Sequence, residues 1–471
     1  MDILRLPVAG RFLRWRHART TLQLALLTIA VALVVHGFVG PDIGSANLST
    51  VLTWVHYRGL LVVALLAAGN FFCAGCPFIR VRDWGRRLHT PSLVWPARLR
   101  GKWMAAALVV AVLFAYELFD LWSLPRATAW LVLAYFVGAL VVDLLFRGAT
   151  FCKHLCPVGQ FNFVASTMSP LELRIRDRPT CDACRTSDCI SGRRSPTQPT
   201  VTVQRGCELG LFLPVKVGNI DCTFCLDCVQ ACPHDNIALG SRVPGEELAD
   251  DARRSGIGRL TQRADLAVLA AIFTFGAWLN AFAMTAPAYR VEAWLAGAMG
   301  GASGAASLGA MFTLGLGVSP VVVLAGAAAL TRALTGSTLS LAAVAQRFVF
   351  GLVPVGFGMW VAHYGFHLLT GLFVVVPVTQ SAAIDLLGWP ALGLPLWQWT
   401  GMRPGAVFPI QLGVLLLGAL GSVAVVQAIA RRDHPARAGR AAAVWGALVG
   451  LLVLAAVWVL FQPMEMRGMG L

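Results

Sequence analysis

The stretch Cys222-Thr-Phe-Cys-Leu-Asp-Cys-Val-Gln-Ala-Cys-Pro233 places four cysteines at spacings of two, two and three residues, followed by a proline. A run with this spacing binds cubane iron–sulfur clusters. Its first three thiolates hold one cluster, and the cysteine beside the proline holds the other cluster of a pair. The run therefore predicts a second group of cysteines nearby. Such a group lies upstream, at Cys181, Cys184, Cys189 and Cys207.

These eight cysteines predict two 4Fe–4S clusters. Structural zinc is the alternative, because Cys-x2-Cys pairs also bind zinc. Zinc needs four ligands in two pairs and gives no reason for the spacing or the proline, so the sequence favours clusters. We assign Cys222, Cys225, Cys228 and Cys207 to one cluster, and Cys181, Cys184, Cys189 and Cys232 to the other.

The composition indicates a polytopic membrane protein. The chain has 471 residues, of which 57% are hydrophobic and 13% charged, and its mean hydropathy is +0.70. A soluble protein would have about 25% charged residues. The net charge of +15 does not indicate nucleic-acid binding, because the arginines fall in short loops beside apolar spans, as in cytoplasmic loops. The cluster spacing of the cysteines, with no cleavable leader, favours a reducing compartment.

About nine apolar stretches are near the length that a bilayer requires. A glycine-rich stretch, Gly297–Gly309, is expected to allow close helix packing. Trp389, Trp397 and Trp399 are predicted to form an interfacial belt on the outer side, with a binding site as the alternative. The predicted spans are 22–39, 59–79, 103–124, 129–147, 265–287, a sixth reaching Arg332, a seventh from Arg347 to Pro377, an eighth ending at Arg431-Arg432, and 441–461.

The predicted fold is all-α and polytopic, with a small inserted α+β two-cluster domain. Residues 1–160 form a four-helix membrane domain, residues 161–263 form the cluster domain, and residues 264–471 form a second membrane domain of about five helices. Basic residues alternate between the two sides of the spans. This pattern places the cluster domain in the cytoplasm and the helices in a bacterial inner membrane.

Two further motifs follow the second and fourth spans, Cys73-x2-Cys76-Pro and Cys152-x3-Cys156-Pro. They look like a degenerate internal repeat in which each proline ends a helix at the membrane surface. Their four thiolates would hold a third cluster or another soft metal, act as redox dithiols, or be buried thiols without a redox role. The sequence leaves these alternatives open.

The order of these motifs resembles the NapH/NosR type of membrane polyferredoxin, over about residues 20–240. The resemblance implies four spans with two cysteine–proline motifs, followed by a cytoplasmic domain with two 4Fe–4S clusters. It also implies electron transfer between the quinol pool, or a cytoplasmic donor, and a periplasmic redox system. This sequence departs from the pattern in the shorter spacing of Cys73 and Cys76, the long gap from Cys189 to Cys207, and the additional spans after residue 264.

Polar residues inside the predicted spans are further candidates, because such groups are costly in a membrane. Glu117 and Asp120 stand one turn apart on the third span, where they would accept protons from a quinol or face interfacial water. His363 and His367 share one face of the seventh span and would contact a quinone, relay protons, ligate haem or copper, or form a structural pair. Haem is disfavoured because His36 is the only other histidine predicted to be well buried.

These observations favour a membrane-bound iron–sulfur protein that relays single electrons between the quinone pool or a cytoplasmic donor and a periplasmic or membrane redox partner. Such a protein would be a subunit of a quinol-linked oxidoreductase. Two alternatives remain: a redox or copper-handling assembly factor for a metalloenzyme, and a transporter-like protein with a redox-sensing domain. No nucleic-acid partner is expected.

Overall fold

The computed structural model describes residues 2–198 and 201–464 and is mostly helical, with two small antiparallel sheets of two strands each. In this part of the chain, eight helices are long and apolar enough to cross a membrane. Two shorter apolar helices accompany them, Trp103–Leu118 and Val375–Leu387. The eight are Ala18–Val39, Leu48–Ala68, Pro125–Leu145, Ala264–Phe282, Gly304–Thr335, Leu341–Thr370, Pro404–Asp433 and Pro435–Leu460.

Eight of the nine predicted spans coincide with these long helices, whereas the third falls on the shorter helix Trp103–Leu118. The second lies earlier in the chain than predicted. It runs over Leu48–Ala68 rather than 59–79. Its start is fixed by Asn47, whose side chain accepts a hydrogen bond from the backbone N–H of Ser49. After the helix ends, Gly69 takes a left-handed backbone with φ +84°. The shift brings Arg58 into an apolar helix and leaves the first cysteine–proline motif beyond its end.

Contacts divide the chain into two compact units. Unit 1 contains all twelve cysteines, and unit 2 contains His363 and His367. Unit 1 consists of Met1–Ala30, Ala64–Ala105 and Ala134–Arg263, and unit 2 of Val31–Val63, Ala106–Leu133 and Ala264–Leu471.

Unit 1 carries the small sheets and most of the short helices. Its main sheet pairs Leu171–Ile175 with Ile237–Ser241, and the side chains of the opposed residues Leu173 and Leu239 are fully buried. The second sheet pairs Arg193–Arg194 with Thr202–Gln204. The short helices of unit 1 are Ala9–Arg14, Phe71–Ala74, Pro77–Leu88, Thr150–His154, Pro157–Ala165, Arg178–Asp182, Asp188–Ser191, Asp227–Ala231 and Glu246–Ala249.

Unit 2 is a helical bundle built around two enclosed helices. In the helix Ala264–Phe282, 83% of an 18-residue apolar stretch is buried, against 22% in the helix Gly304–Thr335. The second enclosed helix, Leu341–Thr370, is tied to the first by Trp360, whose indole N–H donates to the Phe273 carbonyl at 2.8 Å. The helix Ala286–Ala298 completes the unit.

Close helix packing in unit 2 occurs at glycines other than those predicted. A Cβ on Gly418 would lie 2.7 Å from the Pro354 carbonyl oxygen, so the helices Leu341–Thr370 and Pro404–Asp433 approach closely there. The predicted stretch is different, because a Cβ on Gly297 or Gly309 would meet no atom within 4 Å. The packing predicted for Gly297–Gly309 is therefore wrong, since these glycines face open space.

Candidate metal centres and a buried histidine site

The cysteine-rich run folds into a tight loop in which several residues adopt the left-handed backbone conformation. Three residues that are not glycine, Asp221, Phe224 and Leu226, adopt left-handed conformations with φ of +61°, +53° and +63°. This conformation is costly for such residues and is typical of backbone that a functional site constrains. Asp221 precedes Cys222, and Phe224 and Leu226 stand on either side of Cys225. The loop therefore turns next to both cysteines.

The four thiols assigned to the first cluster line one cavity, with an empty volume of ≈340 Å³. The thiols of Cys222, Cys225 and Cys228 each interact electrostatically with that of Cys207, which lies 15 or more residues upstream. Burial raises the pKa of the Cys222 thiol, because the charged thiolate is poorly solvated there. The structure therefore brings together the set that the spacing predicted. These residues are Cys207, Cys222, Cys225 and Cys228.

The second predicted set also converges. Cys189 interacts electrostatically with Cys232, then with Cys181 and Cys184. Asn236 donates hydrogen bonds to two of these sulfurs, from its side chain to Cys181 at 3.2 Å and from its backbone to Cys232 at 3.4 Å. Hydrogen bonds to cluster sulfurs tune the reduction potential, so Asn236 is a candidate tuning residue.

The two sets differ in exposure. Cys222 and Cys228 of the first set are buried, whereas all four cysteines of the second set are partly exposed. The pKa of the Cys184 thiol is lowered to about 7 by a backbone hydrogen bond from Ser187 and further bonds from Thr186, with little opposing burial. The second set therefore lies at the solvent side of unit 1.

Three acidic residues next to cysteines of the first set are paired with basic residues from the N-terminal part of unit 1. Sequence reasoning missed these pairs, because the arginines were read only as an indicator of membrane sidedness. Buried pairs of this kind fix geometry, since losing one partner leaves an uncompensated charge. The pairs are Lys102–Asp221 at 2.6 Å, Arg19–Asp227 at 2.6 Å and Arg82–Glu208 at 2.8 Å.

The two cysteine–proline motifs meet around a second cavity, with an empty volume of ≈510 Å³. The prolines do not end the membrane helices as predicted. Instead, each is the first residue of a new helix, Pro77–Leu88 or Pro157–Ala165, because proline fits the first turn where no N–H is required. The second cysteine of each motif, Cys76 or Cys156, thus lies at the N-terminus of a helix. The four thiols at the cavity are Cys73, Cys76, Cys152 and Cys156.

None of the three thiol sets has the spacing of a site for a single ion. Among the described residues, no three His, Cys, Asp or Glu side chains stand close enough to hold one metal ion. The thiolates of a cubane cluster bind different irons and therefore stand further apart than the ligands of one ion. The donor sets fit clusters in their chemistry and arrangement, and the ligand assignments remain predictions.

Unit 2 contains a buried site at the predicted histidine pair. The rings of His363 and His367 lie with centroids 5.0 Å apart, and His363 is fully buried. Neither ring nitrogen of His363, nor Nε2 of His367, has a hydrogen-bond partner within the described ranges. A buried polar group without a partner is costly, so these nitrogens indicate a site for a ligand or a proton.

Arg58 belongs to the same site and was missed by sequence reasoning, because the second span was placed too late. Its guanidinium carbon lies 4.8 Å from the ring centroid of Tyr116 and 4.7 Å from that of Tyr364. It donates to the Tyr116 hydroxyl at 3.1 Å and interacts electrostatically with both histidines. The site therefore combines a fixed cation with two imidazoles.

The pairing predicted for Glu117 and Asp120 on one helix face is wrong. The helix ends at Leu118, and Asp120 lies beyond it with a left-handed φ of +44°. His36 is fully buried, as predicted, but both its ring nitrogens have partners. Nε2 lies 3.1 Å from Asp385, and Nδ1 accepts from the Leu48 N–H. His36 is therefore not free to pair with another histidine at a haem. Other histidines are also buried: His56, His154, His367 and His434.

The apolar helices are those of a multi-pass membrane protein, and the cysteine sets resemble those of ferredoxins. Comparison with curated proteins confirms the predicted resemblance. The ferredoxin-type protein NapH of Escherichia coli is 28% identical over 197 residues, which are 39% of this chain and 66% of NapH. The regulatory protein NosR of Pseudomonas aeruginosa is 25% identical over 210 residues, 40% of this chain and 27% of NosR.

A third relative, the putative electron transport protein YccM of Escherichia coli, is 28% identical over 97 residues, 21% of this chain and 23% of YccM. The matches thus span less than two thirds of each of these relatives. No family profile and no solved structure matches the chain.

Proposed function

We propose that this protein relays single electrons between the quinone pool, or a cytoplasmic donor, and a redox partner in the periplasm or the membrane. Two 4Fe–4S clusters in residues 161–263 would supply the one-electron chemistry. The proposal places residues 1–160 and 264–471 in a bacterial inner membrane, with the cluster segment in the cytoplasm. The relatives named ferredoxin-type and electron transport proteins support the relay.

One observation carries the cluster assignment. Cys232 belongs to the cysteine-rich run, yet its thiol neighbours Cys181 and Cys189 rather than joining Cys207. This exchange between two sets is the arrangement of two-cluster proteins, in which the cysteine beside the proline serves the other cluster. Zinc binding by consecutive pairs would not require it.

The residues of the chain would have distinct roles in the relay. The partly exposed set would face the soluble donor or acceptor, because electron exchange with a partner requires an exposed centre. The buried set would stay shielded from water, with N–H groups such as that of Leu211, which donates to Cys207 at 3.4 Å, setting its potential. His363 and His367 are proposed to contact the quinone, with Arg58 beside them.

Reduction of the intact protein by a quinol analogue tests this proposal. We expect anaerobically purified protein in liposomes to show the electron paramagnetic resonance of reduced 4Fe–4S clusters after quinol or dithionite is added. Reduction by dithionite alone would contradict quinol as the donor. Quinol-dependent reduction of copper would favour the assembly factor, and solute flux controlled by the redox state would favour the transporter-like alternative.

A further inference from the structure

We propose that Cys73, Cys76, Cys152 and Cys156 hold a third cubane iron–sulfur cluster, directly beside the centre formed by Cys207, Cys222, Cys225 and Cys228. The inference builds on the proposed function but concerns a separate donor set. It chooses among the alternatives that the sequence left open: a third cluster, another soft metal, a redox dithiol, or thiols without a redox role.

The shape of the cavity favours a cluster over a single ion. Four cysteines line it, as four cysteines line the cavity at the first ferredoxin-type set. All four thiols line it, yet within the described ranges no three such donors are arranged for one ion. Phe72, Phe151 and Phe163 form much of the remaining wall and exclude water, as the apolar surroundings of a cluster do.

The local backbone is arranged to stabilise thiolates. Cys76 and Cys156 each occupy the N-cap of a helix, where the free N–H groups and the helix dipole favour negative charge. The N–H of Gly159 donates to the Cys156 sulfur at 3.2 Å. A thiol that served only as core packing would not need these donors.

Buried polar side chains point to the same site. Asn162 is fully buried, and its side-chain amide donates to the Cys73 sulfur at 3.3 Å. Arg82, of which only 1% is exposed, also lines the cavity, and its charge is matched by Asp83, Asp143 and Glu208. Asn162 therefore places a hydrogen-bond donor at the sulfur of a cysteine that lines the cavity, as is found at the ligands of metal centres.

Two residues join this centre to the neighbouring set. Asn70 lies three residues before Cys73 in the chain, and its side-chain amide donates to the Cys222 carbonyl at 3.0 Å. Thr223 lines both cavities. Cys73 and Cys222 also interact electrostatically, so the two thiol sets are immediate neighbours within unit 1. Asn70 is therefore a positioning residue that holds the two centres in a fixed relation.

Iron content of the full-length protein, purified anaerobically, tests the inference. Three clusters give about twelve irons and twelve acid-labile sulfides per chain, whereas two give about eight. In the double variant Cys73→Ser/Cys156→Ser we expect about four irons to be lost. The matched double variant Cys181→Ser/Cys232→Ser should also lose about four, but from the exposed set.

Magnetic interaction between clusters distinguishes loss of the cluster at Cys73 and Cys156 from loss of the cluster at Cys181 and Cys232. In reduced protein, neighbouring paramagnetic clusters broaden each other's resonance. The Cys73→Ser/Cys156→Ser variant should sharpen the signal of the cluster at Cys222, while the Cys181→Ser/Cys232→Ser variant should retain the broadening that the Cys73 centre causes.

A milder variant covers the case in which serine substitution prevents folding. Asn162→Leu should keep about twelve irons and lower the potential of one cluster, because a hydrogen bond to sulfur is lost. A tenfold change in the equilibrium corresponds to ~59 mV for one electron. An unchanged potential in all clusters would count against the site.

About eight irons with four free thiols, or with one zinc or copper per chain, would overturn the third cluster while leaving the relay intact. Fewer than eight irons, with no cluster signal from the Cys222 set, would instead overturn the proposed function itself.

Discussion

Buried polar groups have different surroundings at the thiol centres of unit 1 and at the histidine site of unit 2. In unit 1, acidic residues beside the cysteines are matched with basic partners, as Asp221 is with Lys102 at 2.6 Å. In unit 2, His363 has no hydrogen-bond partner among the described residues at either nitrogen. Paired charges hold the cysteine loops in place, whereas unpartnered imidazoles are suited to a ligand that comes and goes.

Removal of iron should produce the largest contrast between the two units. If residues 161–263 bind two clusters as proposed, metal ligation contributes to the folding free energy of this segment of unit 1. In protein made under iron starvation, we expect trypsin to cut readily within residues 171–263, where the holoprotein resists. Unit 2 has no comparable dependence, so the segment 264–471 should remain intact in both preparations.

Mass spectrometry of the fragments checks this expectation. Equal resistance of residues 171–263 with and without iron would show that the segment folds without clusters. The difference in folding between the two units would then disappear.

Loss of one buried ion pair should have the next largest effect. Lys102→Met leaves Asp221 charged and buried, since these side chains are only 3% and 2% exposed, and should cost unit 1 about 3–5 kcal/mol. The double variant Lys102→Met/Asp221→Asn should recover most of this loss, because no uncompensated charge remains. The exposed pair Arg14–Asp235 provides the control, and Arg14→Met should cost less than about 1 kcal/mol.

Loss of cluster absorbance during denaturant titration measures these changes. Equal effects of Lys102→Met and Arg14→Met would mean that the buried pairs do not hold the cysteine loop in place.

The cysteine sets could be predicted from sequence because ligand spacing is a local property that the chain displays directly. The exchange of Cys207 and Cys232 between sets followed from the proline beside Cys232. The partner of Asp227 could not be predicted, since Arg19 lies 208 residues away and belongs to a run of arginines that also fits membrane sidedness. Distances of this kind depend on tertiary packing.

The helices of the fold could be predicted from hydropathy, but their ends could not. Arg58 lies inside an apolar helix, where its charge is stabilised by aromatic rings that come from distant parts of the sequence, Tyr116 and Tyr364. A prediction from hydropathy places a charged residue such as Arg58 at the end of a span, so the second span was predicted to begin after it. For the same reason, Arg58 was not predicted to lie beside the histidine pair.

The smallest expected effect concerns the histidines themselves, and it tests the idea that missing partners mark a ligand site. The double variant His363→Leu/His367→Leu removes polar groups that lack partners and should leave folding and iron content unchanged. If the imidazoles bind a quinol, its reduction of the clusters should slow about tenfold for each lost hydrogen bond of ~1.5 kcal/mol. Dithionite reduction should keep its rate, because that reductant acts from water.

His36 provides the matched control because it is equally buried but has partners at both nitrogens. His36→Leu should lower the stability of the protein and leave the quinol rate of the folded fraction unchanged, the reverse of the expected result for the pair. Equal quinol rates in the wild type and the paired variant would make His363 and His367 structural. Loss of a haem absorption band in the paired variant would instead identify them as iron ligands, and the missing hydrogen bonds would then mark a metal site rather than a site for a mobile ligand.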